Sequence, residues 1–362
     1  MNLNKDSRNN QRRIARANVG AKIIGMKIPA VSVLLPVYNS EVFLEEALLS
    51  IAAQTFGDWE CIVVDDGSTD GSATVADGFA SRDSRIKVVK NKHHGLVAAL
   101  NAGLERCRAP LVARMDADDI SLPGRLAMQA ALMESRPEIA LCGCLVRSFP
   151  EESVGEGMLL YENWLNSIVS EEEIRRDFFV ESPFAHPSVM FRRETVSRLG
   201  GYADHGWPED YDLWMRLFAG GARFAKAPET LYLWRDYPER MSRTDRAYTI
   251  PKFRKLKAHY LLQSYLKGRK EVTVWGAGRE GRWWQRELII AGVTPGRFID
   301  VDAKKIGQRL GEAPIVGPGV LEKRLTGDFI VVAVGARGAR LLIRDQLLEY
   351  GCKELEDFVF LA

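Results

Sequence analysis

Glu60-Cys61-Ile62-Val63-Val64 runs without a break into Asp65-Asp66-Gly67-Ser68-Thr69-Asp70. An apolar, β-branched run that stops at an acidic, glycine-containing turn reads as a buried strand ending at a loop, and the residues after it read as a helix ending near Arg82. The same unit stands on either side. Upstream, Val31-Ser32-Val33-Leu34-Leu35 leads into Pro36-Val37-Tyr38-Asn39-Ser40 and a helix from 41 to about 54, which Asn39 or Ser40 can cap. Downstream, Ile86-Lys87-Val88-Val89 precedes a helix around 96–107, and a fourth strand starts at Leu111 and ends at Met115-Asp116. Strand, loop and helix in repeated order predict an α/β fold with a mostly parallel sheet and helices on its faces.

Open sheets of this kind place ligands beyond the carboxyl ends of their strands. Two acidic groups fall at such ends, the pair Asp65/Asp66 and the run Asp116-Ala117-Asp118-Asp119. Either alone reads as a helix cap or a turn. Both together, at corresponding ends of one sheet, point to a site. Carboxylates do not profit from touching phosphate directly, but they hold Mg²⁺ or Mn²⁺, and the cation bridges phosphate oxygens and stabilises charge arriving on a leaving diphosphate. Asp118 is the leading metal ligand, with Asp116 beside it; Asp116 and Asp119 are also candidates for ribose, sugar or metal-water contacts.

The sequence from Pro36-Val37-Tyr38-Asn39 through Val63-Val64-Asp65-Asp66-Gly67-Ser68-Thr69-Asp70 to Arg114-Met115-Asp116-Ala117-Asp118-Asp119 resembles glycosyltransferase family 2, and Ser121-Leu122-Pro123-Gly124-Arg125-Leu126 continues the likeness. The resemblance spans roughly 29–245 and implies a GT-A fold, a nucleotide-diphosphate sugar as donor, and inversion at the anomeric carbon. It implies that Pro36, Tyr38, Asp65 and Asp66 line the nucleobase and ribose pocket. Trp207-Pro208-Glu209-Asp210-Tyr211-Asp212 matches the acceptor-side motif, so Asp210 would take the acceptor proton and Glu209 would orient the acceptor or the loop. Read without the family, Glu209 and Asp210 are also good first-turn helix residues. His186 falls in a loop expected near the acceptor or diphosphate, and Arg125 is a candidate for phosphate. Many relatives carry a histidine two positions after the arginine matching Arg235; Tyr237 stands there instead, which shifts attention to Arg235 and Arg240 as the cationic contacts.

Further along, a helix is expected from Arg125 to Ser135, a strand at 139–146, a helical stretch at 160–180 and a helix over Leu213-Trp214-Met215-Arg216-Leu217-Phe218. A basic amphipathic connector is expected at 246–270. Residues 271–362 then resemble a smaller Rossmann-like α/β domain: Glu271-Val272-Thr273-Val274-Trp275 precedes Gly276-Ala277-Gly278-Arg279-Glu280-Gly281, and Asp300 closes the next strand. A glycine loop between strand and helix lets backbone N–H groups approach phosphate, so a second nucleotide is a candidate ligand there.

Composition sets outer bounds. Charge is nearly balanced, 50 basic against 48 acidic residues, which argues against a nucleic-acid coat. The basic residues Lys5, Arg8, Arg12, Arg13, Arg16, Lys22 and Lys27 concentrate in an extension expected over 1–28, a candidate for peripheral membrane contact. No apolar run approaches a membrane span or a signal peptide, and the odd set Cys61, Cys107, Cys142, Cys144 and Cys352 lies inside apolar stretches, so a cytoplasmic chain with buried thiols is expected. The main expectation is an inverting glycosyltransferase acting on a carbohydrate, glycolipid or small-molecule acceptor. Two alternatives stand beside it: a non-catalytic nucleotide-sugar-binding or scaffold protein, and an oxidoreductase working through the C-terminal glycine loop.

Overall fold

The computed structural model describes residues 27–323 and 328–362; the basic residues from Lys5 to Lys22 lie outside that range. Two sheets organise the chain. The first half runs β1 (Val31–Val37), α1 (Glu41–Ala52), β2 (Trp59–Asp65), α2 (Ser72–Arg82), β3 (Ile86–Lys90), α3 (Leu96–Arg106), β4 (Leu111–Arg114), β5 (Ile120–Ser121), α4 (Arg125–Ser135) and β6 (Ile139–Phe149). It continues with α5 (Glu156–Ser167), α6 (Glu171–Arg176), β7 (Met190–Arg192), α7 (Arg193–Arg198), α8 (Glu209–Ala219) and β8 (Arg223–Arg235). These strands form an eight-stranded sheet in the order β3-β2-β1-β4-β7-β6-β8-β5. The four that open the chain are parallel, β7 runs against β4 and β6, and β6 and β8 are parallel to each other.

β1 and β2 are buried along their whole length, as their near-continuous apolar runs require of strands covered on both faces. Gly103 shows how closely α3 sits on them: a Cβ there would meet the Leu34 side chain at 2.2 Å. The helical stretch expected at 160–180 is two helices, because Ser170 and Glu173 close a capping box that starts α6 afresh. The strand expected at 139–146 extends to Phe149, because β6 stays paired with β8 as far as the pair Phe149 and Arg235. All five cysteines are buried.

After α9 (Met241–Thr244), the helix α10 (Ile250–Gln263) leads to the second sheet. Its elements are β9 (Glu271–Trp275), α11 (Arg279–Ile290), β10 (Thr294–Ile299), β11 (Arg309–Leu310), β12 (Ala313–Val316), β13 (Ile330–Val332), α12 (Ala339–Glu349) and β14 (Phe358–Phe360). Their order is β11-β12-β10-β9-β13-β14, with only the edge strand β11 antiparallel. One apolar cluster runs from α8 through Leu256, Tyr260 and Leu261 of α10 to Val272, Phe298 and Val331. A fully buried side chain of this size contributes roughly 1.5–3 kcal/mol, so α10 is packed into both halves. No helix among the described residues is long and apolar enough to cross a membrane.

Candidate active site

β1 and β2 are in register to the pair Val37 and Asp65, so Tyr38 and Asp66 leave the sheet side by side on its carboxyl rim. Three loops are tied together there. Asn39, in a left-handed conformation at φ 50°, donates its N–H to Ser68 Oγ at 3.0 Å and accepts the Thr69 N–H at 2.8 Å through its side-chain oxygen. The Asp66 carboxylate accepts the N–H groups of His94 at 3.1 Å and Gly95 at 2.8 Å, and thereby holds the loop after β3. Gly67 has φ +76°, and a Cβ on it would meet His93 N at 2.7 Å.

That arrangement puts the His93 ring on Tyr38, with centroids 4.0 Å apart and planes 17° from parallel, and sets His93 Nδ1 2.8 Å from Asp66 Oδ2. Tyr38 stays 44% exposed over the cleft, so the pair is an open stacking platform. His93 was not among the residues expected from sequence; the signal was the run His93-His94-Gly95 just past the third strand. Asp65 departs from expectation. It does not line the cleft, and its Oδ1 accepts the Ser68 N–H at 2.9 Å, so it closes the turn that presents Asp66.

β4 delivers the second acidic group. Carboxylate oxygens of Asp116, Asp118 and Asp119 lie within 4.8 Å of one another. Asp116 pairs with the buried guanidinium of Arg114. Asp118 Oδ2 accepts the Tyr237 hydroxyl at 2.7 Å. Asp119 points inward, where Oδ1 accepts the Arg235 N–H at 2.7 Å and Oδ2 is buried without a partner. Burial, then the charges of Asp118 and Asp116, hold the Asp119 carboxyl well above the usual range; burial and Asp116 also raise that of Asp118. Burial would raise Asp116 too, but Arg114 and His186 outweigh it and the net shift is downward. The group repels itself, and a divalent cation would relieve that repulsion.

Two of the expected cationic contacts are elsewhere. Arg125 is fully buried, with Nη2 donating to the carbonyls of Arg114 at 2.7 Å and Val189 at 3.2 Å, and Nε to Gln129 Oε1 at 3.0 Å. Its donors are spent on the strand end that carries Asp116, so it props the acidic loop from behind and does not meet phosphate. Arg235 is clamped between the rings of Phe43 and Phe149, donates Nε to the Asp118 carbonyl at 2.6 Å and pairs with Glu46. It too shapes the loop without lining the cleft. Arg240 does line it, stacked 4.6 Å over the Trp234 ring.

The opposite wall is the start of α8. Glu209 and Asp210 sit in its first turn, where the helix dipole favours negative charge. Glu209 Oε2 accepts the Tyr248 hydroxyl at 2.6 Å, and Oε1 lies 3.2 Å from His186 Nδ1, while His186 Nε2 is 3.0 Å from the Tyr202 hydroxyl. His186 lines the cleft, with Nε2 turned to Tyr202 and Nδ1 facing Glu209 without a well-aligned hydrogen bond. Burial works against the Glu209 charge, but the bond and charge of His186 prevail and its carboxyl is held low. Asp210 is the reverse case: burial and then the Glu209 charge push its carboxyl well up. Asp212, two residues on, is consumed structurally by Trp207, Tyr260 and Arg216.

Tyr38, Asp66, Asp116, Asp118, Asp210 and Arg240 all line one cleft of about 1180 Å³, as does Pro36. A stacking platform, a convergent set of hard oxygen donors, a cation and a basic carboxylate on the far wall suffice to hold a phosphorylated, ring-bearing ligand beside a hydroxyl group.

The glycosyl transferase family 2 model matches residues 32–200. The amylovoran biosynthesis glycosyltransferase AmsE of Erwinia amylovora is 38% identical over 203 residues, 55% of this chain and 74% of that protein. The putative glycosyltransferase EpsE of Bacillus subtilis is 34% identical, over 61% of this chain and 78% of its own length. An Escherichia coli protein named UDP-Gal:alpha-D-GlcNAc-diphosphoundecaprenol beta-1,3-galactosyltransferase is 33% identical, over 53% and 69%. Among solved structures, residues 1–349 of S. aureus TarS in complex with UDP-GlcNAc match with a TM-score of 0.50 at 20% identity, over 64% of this chain and 66% of that one, a likeness of fold. The first sheet with its helices is a GT-A fold, and the chain belongs to glycosyl transferase family 2.

Proposed function

We propose that this glycosyltransferase moves a sugar from a nucleotide-diphosphate sugar to a hydroxyl of a carbohydrate, glycolipid or small-molecule acceptor, with inversion at the anomeric carbon. The observation that carries the reading is that Asp210, a carboxylate made basic by burial and by Glu209, shares one cleft with the Asp116/Asp118 group and the Tyr38/His93 platform. The relatives' names, which include polysaccharide assembly and a lipid-linked sugar acceptor, support the substrate class.

Asp116 and Asp118 would hold Mg²⁺ or Mn²⁺. The donor set fits: hard carboxylate oxygens converge, Asp119 Oδ2 is an unpartnered buried oxygen behind them, and burial, with mutual repulsion second, raises the carboxyls of Asp118 and Asp119. When bound, the cation supplies charge neutralisation at the diphosphate. The chain's own groups do the rest. Tyr38 and His93 offer a face for the nucleobase, and Arg240 offers a fixed positive charge on the cleft wall. Asp210 takes the proton of the acceptor hydroxyl as that oxygen bonds to the anomeric carbon, and the nucleoside diphosphate leaves with the electron pair of the broken C–O bond. Glu209, anchored by Tyr248 and His186, keeps Asp210 basic.

The test is proton NMR of the product formed from a panel of nucleotide-sugars and a sugar acceptor with Mn²⁺. A glycosidic bond of configuration opposite to the donor's is expected. Retained configuration would remove Asp210 from the role of acceptor base, and free sugar alone as the product would remove transfer.

A further inference from the structure

Among the described residues, three polar atoms buried without a partner belong to the catalytic cleft: Arg114 Nε, Glu209 Oε1 and Trp234 Nε1. The smaller cleft, of about 600 Å³ at the carboxyl ends of β9, β10 and β13, has none. A buried donor without an acceptor is unfavourable in the free protein, and each one calls for a partner. Arg114 differs from the other two in carrying a permanent positive charge on a planar fork of donors.

Arg114 is the last residue of β4 and one of two arginines on the cleft wall, the other being Arg240. Its side chain is 2% exposed; Nη1 pairs with Asp116, while Nε has no partner. The strand end is fixed from both sides. The Arg114 N–H donates to the Val189 carbonyl at 2.9 Å, and the Arg114 carbonyl accepts Arg125 Nη2 at 2.7 Å. Asp116 is fixed as well, its N–H donating to the Tyr232 hydroxyl at 3.2 Å. The guanidinium is therefore in place before any ligand arrives, which lowers the ordering cost of binding.

Its position decides what it meets. The Arg114 charge acts on Asp116 to one side and on His186, Tyr202 and Asp210 to the other. In the displacement proposed above, the anomeric carbon lies in line between two oxygens, that of the leaving diphosphate beside the Asp116/Asp118 group and that of the acceptor beside Asp210. The transferred ring therefore sits between those two groups, over Arg114. Charge narrows its chemistry. With the two charges of the diphosphate balanced by a divalent cation, the carboxylates of Asp116, Asp118, Glu209 and Asp210 face the guanidiniums of Arg114 and Arg240. A sugar with its own carboxylate adds repulsion there, whereas a neutral sugar presents hydroxyls that accept from Arg114.

We propose that Arg114 reads the sugar being transferred: its guanidinium donates to a ring hydroxyl of a neutral hexosyl donor and fixes that ring between the Asp116/Asp118 group and Asp210. The inference rests on the nucleotide-sugar reading above and adds the class of sugar. Calorimetry on the full chain in Mn²⁺, without acceptor, tests it. The probes are UDP, GDP and dTDP, the neutral conjugates UDP-glucose, UDP-galactose, UDP-N-acetylglucosamine, GDP-mannose and dTDP-rhamnose, and the acidic UDP-glucuronate and GDP-mannuronate. The tightest donor is expected to be a neutral one, and one of its monodeoxy analogues should bind about tenfold more weakly, the scale of a hydrogen bond from a charged donor.

Arg114→Gln should weaken that donor about tenfold, keep the matching nucleoside diphosphate within about twofold, and erase the penalty of the deoxy analogue. Near-ultraviolet circular dichroism verifies that the variant is folded; should it not fold, the deoxy series on the unaltered protein still decides. Equal binding of every deoxy analogue overturns the proposal, as does a deoxy penalty that persists in Arg114→Gln. Equal weakening of donor and nucleoside diphosphate also overturns it, because Arg114 would then serve the cation site through Asp116. A uronate as the tightest donor overturns the class of sugar. These failures leave the nucleotide-sugar reading standing; no binding of any nucleotide or donor in Mn²⁺ removes both.

Discussion

The two clefts of this chain lie at corresponding places, the carboxyl ends of parallel strands, and differ in the charge they present. In the first, the strand ends carry Asp66 and the Asp116/Asp118/Asp119 group, so the bare site is acidic and a phosphorylated ligand would need a cation between it and the protein. In the second, strand β9 ends in glycines, two uncapped helices point inward, and the single acidic strand end, Asp300, is already neutralised by Lys305. The same topology thus supports a site with a tunable, removable charge and a site with fixed backbone donors. The first arrangement suits a bond that must break, because a cation held there would place counter-charge at the leaving group.

The contrast can be broken or sharpened by substitution. The largest effect is expected from Asp210→Asn, which should slow transfer by about 100- to 10,000-fold, the usual worth of a general base. Donor affinity, read by calorimetry, should stay within about twofold of the unaltered protein; an unchanged transfer rate would remove the base assignment. Asp118→Ala should weaken donor binding in Mn²⁺ by about 100-fold, equivalent to about 2.8 kcal/mol, and leave the residual donor binding in EDTA unchanged. Equal losses in both conditions would remove the cation from the role assigned to Asp118.

Tyr237→Phe removes the hydroxyl that donates to Asp118. The Mn²⁺ concentration for half-maximal activity should rise by roughly tenfold, the scale of a lost partner behind a metal ligand. The smallest effect concerns pH. Asp210 must be ionised to accept a proton, and its carboxyl is raised by burial and by Glu209, so activity should fall on acidification sooner than for an ordinary carboxylate. Glu209→Gln removes the second cause, lowers the Asp210 carboxyl, and should move the acid limb of the rate profile to lower pH by up to about one unit. A limb that moves upward would contradict the pairing.

The strand-to-loop transitions that build the first cleft were legible because each is local: an apolar run followed by an acidic or aromatic turn states where the strand stops and what it presents. Tyr38, Asp66, Asp116 and Asp118 come from such transitions, Asp210 comes from the loop-to-helix start of α8, and all line the cleft. Direction was harder. Arg125 and Arg235 have the sequence of exposed cations, yet Arg125 turns under β4 to satisfy carbonyls and Arg235 is captured by two aromatic rings, contacts made by residues far away in the chain.

His93 was missed for the same reason, since its stack on Tyr38 exists only because Asp66 holds the loop after β3. β8 was missed because Arg223–Arg235 has neither clean alternation nor a continuous apolar run; its pairing with β6 shifts register three times, and each shift breaks the two-residue period.

The central claim is that Asp116 and Asp118 hold a divalent cation on which donor binding depends. Electron paramagnetic resonance of free Mn²⁺ during titration with the protein, with and without a nucleoside diphosphate, measures it directly. One Mn²⁺ bound per chain, tightened by the diphosphate and lost in the double variant Asp116→Ala/Asp118→Ala, is the predicted result; uptake unchanged in that variant would contradict it.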